Sequence, residues 1–166
     1  VLGYSKRIAE RLTAAVGRSL PPERRFISVR FGNVLGSRGS VLHTFASQLE
    51  RGLPLTVTDP RMERFFMSIN EACQLVLQAG ALGRSGEVLV LDMGEPHNIE
   101  SLARRFAALM GYDEPQVAYT RVRPGEKMTE SLFGAGEDDR RPWHPLISHV
   151  DVAALPLGIL TDIDDL

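Results

Sequence analysis

The stretch VRFGNVLGSRGS, residues 29–40, decides how this chain is read. The run FISVRF that leads into it has the character of a strand, and three glycines, Gly32, Gly36 and Gly39, pass from it into a helical pattern. Asp59 follows 20 residues after the last glycine, behind a second strand-like run, LTVT. Strand, glycine loop, helix, strand and acid are the parts of a dinucleotide cradle. In such a cradle the glycines admit a pyrophosphate to a helix N-terminus, and the acid binds a ribose hydroxyl. The details depart from that pattern. The spacing is Gly-x3-Gly-x2-Gly, Asn33 follows the first glycine, Arg38 projects a charge from inside the loop, and Pro60 directly follows Asp59. A glycine pattern this loose is weak evidence by itself, and a simple glycine-rich turn competes with it.

Composition narrows the classes. The 166 residues suffice for one domain with a real core or for part of a larger one. With 43% hydrophobic and 24% charged residues, a net charge of −2 and a pI of about 6.1, nothing global recommends a nucleic-acid or membrane partner. One cysteine, Cys73, rules out an internal disulfide and points to a reducing compartment, so a cytoplasmic location is expected, with inner-membrane association in a longer form. Cys73 lies in the helical run NEACQLVLQAGAL and is expected to be a small buried core residue. His43, His97, His144 and His149 have no metal-ligand spacing, so no metal site is expected. The chain begins at Val1 with residues that already read as helix, which is expected of a cut end.

Along the chain, helices and strands alternate, which defines an α/β class. Tyr4, Ile8, Leu12 and Ala15 share a face and predict a helix stopping near Gly17; Val41, Phe45 and Leu49 predict a second, ending at Gly52. Ser68 and Glu71 form a capping-box pattern before a helix bearing Ala72, Leu75, Val76 and Ala79 on one side. EVLVLDMG reads as a strand buried on both faces. Asn98 caps a helix whose Leu102, Phe106 and Leu109 face the core before Gly111. VAYTRV reads as a strand, RPGEK as a turn and MTESLF as a short helix; a polar loop, weak helical signal and the acidic end TDIDDL follow. Trp143, in RPWHP, is expected to pack a loop onto the body.

The order Lys6, VRFGNVLGSRGS, RMERFFMSINEA, VLDMGEP and RPGEK resembles the C-terminal half of an extended short-chain dehydrogenase/reductase. It is most similar to the CapD-like polysaccharide-biosynthesis group of nucleotide-sugar 4,6-dehydratases and epimerases. The similarity spans about residues 1–133, with RFGNVLGSRGSV and RPGEK together its most specific part. The resemblance implies the late elements of a Rossmann fold plus a small substrate-binding subdomain over residues 1–133, with 134–166 as an extension of loop and weak helix. It also implies NAD (or NADP) in the full-length enzyme, held by a glycine-rich loop in an earlier strand–helix unit that is absent from this chain. On that view VRFGNVLG imitates the cradle, and its work is at the substrate phosphate, with Phe31 and Gly32 near the nicotinamide.

The same resemblance assigns the other site residues. Arg64 and Arg123 contact the phosphates of a UDP-sugar, a task suited to a planar guanidinium that holds two oxygens. Asn33 donates to a phosphate oxygen or stabilises its own turn; Glu126 accepts from the uridine ribose or acts as a helix N-terminal acid; Thr56 to Thr58 face the uracil. Arg61 and Arg121 have no such support and read as surface residues. Lys6 is the catalytic and cofactor-binding lysine of a Tyr-x3-Lys pair, yet the position four before it holds Leu2, and Tyr4 lies on another side of the helix. A subgroup of the dehydratases similarly has an apolar residue there and uses upstream groups for proton transfer.

The reading is therefore a substrate-binding part of an NAD-dependent UDP-sugar 4,6-dehydratase, acting on UDP-N-acetylglucosamine or a close relative, and inactive as an isolated chain. The alternatives are a UDP-sugar 4-epimerase, a truncated sugar-nucleotide-binding or protein-interaction module without turnover, and a small NAD-binding protein using residues 29–59. Unpaired strand edges lead to an expectation of homo-oligomers or a partner chain covering them.

Overall fold

The computed structural model describes residues 2–21, 23–37 and 39–156, with Leu2 as backbone only. Arg38, the Leu2 side chain and the acidic end TDIDDL lie outside the described residues. In chain order the elements are α1 (Leu2–Ser19), β1 (Ser28–Arg30), β2 (Asn33–Val34), α2 (Val41–Glu50), β3 (Leu55–Val57), β4 (Glu63–Arg64), β5 (Phe66–Met67), α3 (Ile69–Leu82), β6 (Val88–Leu91), β7 (His97–Asn98), α4 (Ile99–Leu109), β8 (Val117–Tyr119) and β9 (Ile147–Val150). They fall into two compact units, each assembled from separated segments: residues 1–31, 73–92 and 132–166 in the first, residues 32–72 and 93–131 in the second.

The first unit is built on a three-stranded sheet, β1-β6-β9. β6 pairs parallel with β1 (Ser28 opposite Val88) and antiparallel with β9 (Val88 opposite Val150), and all four of its side chains are buried. That is what the apolar run VLVL predicts for a central strand, and burying each of these side chains contributes roughly 1.5–3 kcal/mol. Ala14, Val88, Val90, Val150 and Val152 form one core cluster, with Leu132 and Phe133 packed against it. Residues 147–150, read as weak helix, are the strand β9, and through it the 134–166 segment completes this sheet. The helical signal loses here because pairing along β6 buries Ile147, Ser148 and Val150.

α1 runs past Gly17 to Ser19 instead of stopping there. Gly17 is a packing residue: a Cβ on it would lie 2.5 Å from the Gly86 backbone N and 3.0 Å from the Phe26 carbonyl oxygen. The two segments touch through backbone, and the Ser85 hydroxyl donates to the Gly17 carbonyl at 2.8 Å. At the end of β1, the half-buried Arg30 lies between carboxylates. Its guanidinium donates to both oxygens of Glu10 (2.6 and 2.9 Å), to Glu137 and to the Leu132 carbonyl, and Arg7 pairs with Glu137 at 2.7 Å. A charge partly withdrawn from water is offset by such pairing.

The second unit has a core of Phe45 and Leu49 from α2, Leu55 and Val57 from β3, Met62, and Ile99, Ala103 and Ala107 from α4. Three short strand pairs surround it: β2 with β5 and β3 with β8, both parallel, and β4 with β7, antiparallel. The caps form as the sequence predicts. Ser68 and Glu71 exchange reciprocal hydrogen bonds (2.7 and 3.2 Å), and the Asn98 side chain accepts from the Ser101 amide at 2.9 Å.

Several expectations need correction. Cys73 is exposed, because the buried stripe of α3 is Ala72, Leu75 and Ala79; Val76 lies at its margin. Leu109 is 86% exposed, since α4 buries Ile99, Ala103 and Ala107 and position 109 falls off that stripe. MTESLF is not a helix. The Met128 carbonyl there accepts from the Glu63 amide (3.0 Å) and from Arg64 (3.0 Å), so this backbone serves β4 in place of a helical ladder. No helix among the described residues is long and apolar enough to cross a membrane.

Candidate functional site

The second unit contains a cavity of about 590 Å³. Its lining includes Asn33, Thr56, Thr58, Arg64, Arg123 and Glu126, which are all the residues assigned to substrate on sequence grounds. Val57, Met62 and Ile99, core residues of this unit, lie under the polar rim. Sequence separation does not predict this gathering. It arises because β2, β3, β4 and the 120–126 loop all end at the same cavity.

Arg64 enters from β4 with its side chain only 14% exposed. Nη1 donates to the Glu63 carbonyl at 2.7 Å and to the Met128 carbonyl at 3.0 Å. Nε lies 3.4 Å from Glu130 and Nη2 lies 3.8 Å from Glu126. The guanidinium is thus braced by two carbonyls with two carboxylates nearby, and Nη2 is the part left facing a ligand. Arg123 sits at the first corner of the turn Arg123-Pro124-Gly125-Glu126, closed by the Glu126 amide donating to the Arg123 carbonyl at 3.0 Å. Proline supplies the fixed φ of the first turn position, and Gly125, at φ +83°, supplies the left-handed one. Glu126 is not at a helix N-terminus: its carboxylate accepts from the Arg123 amide at 3.1 Å, which ties the turn and aims the acid at the cavity.

Asn33 uses its side-chain amide within the fold, donating to the Phe65 carbonyl at 3.3 Å, while its backbone amide donates to the same oxygen at 3.0 Å. One N–H and the carbonyl oxygen of the side chain remain. Thr56 is held by Gln48, whose amide donates to the Thr56 hydroxyl (2.7 Å) and accepts from the Thr56 backbone N–H (3.1 Å). The Val57 carbonyl accepts from the Thr120 amide at 2.9 Å.

The remaining assigned residues lie elsewhere. Lys6 on α1 and Phe31 are exposed members of the first unit, and Lys6 has no partner among the described residues. Gly32 belongs to the second unit, where a Cβ would come within 2.9 Å of the Phe65 Cβ and 3.1 Å of its carbonyl oxygen, so the glycine permits a close backbone approach. Its amide donates to the Met93 sulfur at 3.3 Å.

Geometry separates the two arginines read as surface residues. Arg121 is exposed, as read from the sequence, and it also lines the cavity beside Arg123. Ser37, Ser40, Thr44 and Thr120 also line the cavity, two of them inside the opening stretch itself. Arg61 stays at the surface, its side chain 79% exposed and paired with Asp59.

Residues 29–59 do not make a dinucleotide cradle. β1 pairs with β6 and β3 pairs with β8, so no adjacent parallel strands flank the glycine loop. The Asp59 carboxylate accepts from the Arg61 side chain and amide, which holds its pKa below the usual carboxylate range and engages it within its own turn. Among the described residues, no group of three or more His, Cys, Asp or Glu is placed to hold a metal ion.

Known proteins agree with this architecture. The probable polysaccharide biosynthesis protein EpsC of Bacillus subtilis is 50% identical over 139 residues, and the capsular polysaccharide biosynthesis protein CapD of Staphylococcus aureus is 49% identical over the same length. In both cases the match covers 82% of this chain and 23% of the relative, so the chain spans under a quarter of the length of these curated relatives. The X-ray structure of Pen from Bacillus thuringiensis matches with a TM-score of 0.78 at 32% identity, over 92% of this chain and 48% of that one. A double mutant of the dTDP-glucose 4,6-dehydratase DesIV from Streptomyces venezuelae, solved with NAD bound, shares the fold with a TM-score of 0.66 at 23% identity, over 79% and 41% of the two chains. The fold is the mixed α/β, Rossmann-like one of extended short-chain dehydratases and epimerases. Because the family match runs through residues 1–151, and so takes in β9 beyond the expected limit of 133, the chain belongs to the polysaccharide biosynthesis protein family.

Proposed function

We propose that the cavity of the second unit binds the diphosphate and nucleoside of a UDP-sugar, and that the chain is the substrate-binding part of an NAD-dependent 4,6-dehydratase for UDP-N-acetylglucosamine or a close relative. The observation that carries this reading is the convergence of Asn33, Thr56, Thr58, Arg64, Arg123 and Glu126 on one cavity of about 590 Å³, a size suited to a small-molecule ligand. Three arginines against one glutamate on the lining favour an anion. Glu126, fixed by the RPGEK turn, is the acceptor for ribose hydroxyls. Thr58 is the available member of β3's exit for the base, since the Thr56 amide and Val57 carbonyl already have partners.

NAD, bound to the whole enzyme, supplies the acceptor and donor of a hydride at the sugar. Lys6, with an uncommitted ammonium, and Phe31, exposed, are the residues of this chain proposed for its nicotinamide end. Leu2 cannot move a proton, so the isolated chain is expected to bind and not turn over. What the cavity contributes is positioning: a clamped diphosphate fixes where the sugar carbons lie.

Calorimetric titration with UDP and, separately, with NAD tests the reading on the native chain and on Arg123→Ala. UDP binding that the substitution weakens at least tenfold, without NAD binding, is the expected result. Absence of UDP binding to the native chain, or NAD binding that survives the substitution, overturns it.

A further inference from the structure

The charges on the cavity wall are not equivalent. Arg64 has Glu126 at 3.8 Å and Glu130 at 3.4 Å, and its Nη1 is occupied by two backbone carbonyls. Its charge is therefore largely offset within the protein. Arg121 and Arg123 differ: among the described residues neither guanidinium has a hydrogen-bond or ion-pair partner, and both line the cavity. They sit two positions apart on the segment between β8 and the Arg123-Pro124-Gly125-Glu126 turn, and both residues reach the same cavity.

We infer that Arg121 is a ligand-binding residue that joins Arg123 in an anion clamp, with Arg64 adding its remaining Nη2. This rests on the proposed sugar-nucleotide reading and adds to it a binding residue and a charge rule. The uncompensated charge of the wall is that of two guanidiniums, and the diphosphate bridge of a sugar nucleotide is doubly anionic. A pair of free guanidiniums with five donors each can grip both phosphoryl groups, one by each arginine, without displacing any internal bond. Arg64 can add only Nη2 without giving up its carbonyls. The RPGEK turn fixes the position of Arg123 relative to Glu126, and Arg121, outside that turn, sets the reach of the clamp toward the second phosphoryl group.

The experiment is a titration of the chain with UDP and with uridine, repeated on Arg121→Ala, Arg121→Lys and Arg123→Ala, at two salt concentrations. Because Arg121 is exposed, its truncation should leave the melting temperature unchanged. Arg121→Ala is expected to weaken UDP binding roughly 10- to 100-fold, the range for loss of charge-assisted hydrogen bonds, and to reduce the salt dependence of binding. Uridine binding should be untouched, and Arg121→Lys should restore part of the loss through charge alone. If Arg123→Ala weakens UDP and Arg121→Ala does not, the clamp is wrong while the sugar-nucleotide reading stands. If the native chain binds neither UDP nor uridine, the reading itself fails. Equal weakening of UDP and uridine by Arg121→Ala would mean a structural role and would also overturn the clamp.

Discussion

Gly17→Ala sets two well-measured effects against each other. In an open helix, alanine is more stable than glycine by about 1 kcal/mol. At Gly17 the added methyl would lie 2.5 Å from the Gly86 amide nitrogen, 3.0 Å from its Cα and 3.0 Å from the Phe26 carbonyl oxygen. All three are backbone atoms, so no rotamer change relieves the contact. Forcing the segments apart costs roughly 1–3 kcal/mol for overpacking. It also stretches the Ser85 hydroxyl bond to the Gly17 carbonyl and the Gly86 amide bond to the Phe26 carbonyl, both 2.8 Å, each worth about 1 kcal/mol. The opposing terms leave Gly17→Ala destabilising by roughly 1–3 kcal/mol, about 2–4 °C of melting temperature per kcal/mol for a chain of this length. Gly80→Ala is the control. It lies in α3 of the same unit, with nothing within 4 Å of its virtual Cβ, and should gain roughly 0.5–1 kcal/mol. Thermal melts of both variants decide the matter: if Gly17→Ala melts as high as Gly80→Ala, the close approach is not a real constraint.

Glu137 is held by hydrogen bonds from Arg30, with the Gly134 amide and Arg7 adding to them, and titrates at about 2, below its ordinary 4.5. Since the folded value is the lower one, its contribution is complete above about pH 4.5 and lost as the pH falls toward 2. Denaturant unfolding of Glu137→Gln should therefore show a flatter stability curve across that window, and parallel curves would contradict the pairing. Phe45→Ala removes a fully buried ring from the core of the second unit and should cost about 3–5 kcal/mol in urea unfolding; a loss under about 1 kcal/mol would show that the cluster is loosely packed. Ser68→Ala breaks the reciprocal cap of α3 and should cost about 1 kcal/mol, with no change read as a cap that water replaces.

Features that depend on local chemistry were legible in the residues. The caps at Ser68 and Asn98, the buried run of β6 and the turn at Pro124-Gly125 follow from side-chain donors, apolar continuity and φ preference over a few positions. Gly17 misled because two opposed uses of glycine, ending a helix and admitting another backbone, look alike until Gly86 is brought beside it. The strand at Ile147–Val150 was hidden for a similar reason: its partner lies over 50 residues earlier, and pairing overrides a weak local preference. Arg121 was passed over because nothing in a single arginine tells a solvated charge from one on a cavity wall. In Arg30, likewise, no nearby acid announced Glu10 and Glu137.

The chain passes between its two units at residues 31/32, 72/73, 92/93 and 131/132. During synthesis, this threading puts the units on different clocks. The second has all its segments once residue 131 has emerged, whereas β6 of the first waits for β9, 56 positions after its own last residue, Leu91. At roughly 5–20 residues per second, Val88–Leu91 has an unmatched flank for about 3–11 s on the ribosome. An apolar strand left open for that long is a template for its neighbours on a polysome, so the yield of soluble chain should depend on translation speed and chaperone supply more than its finished fold would suggest.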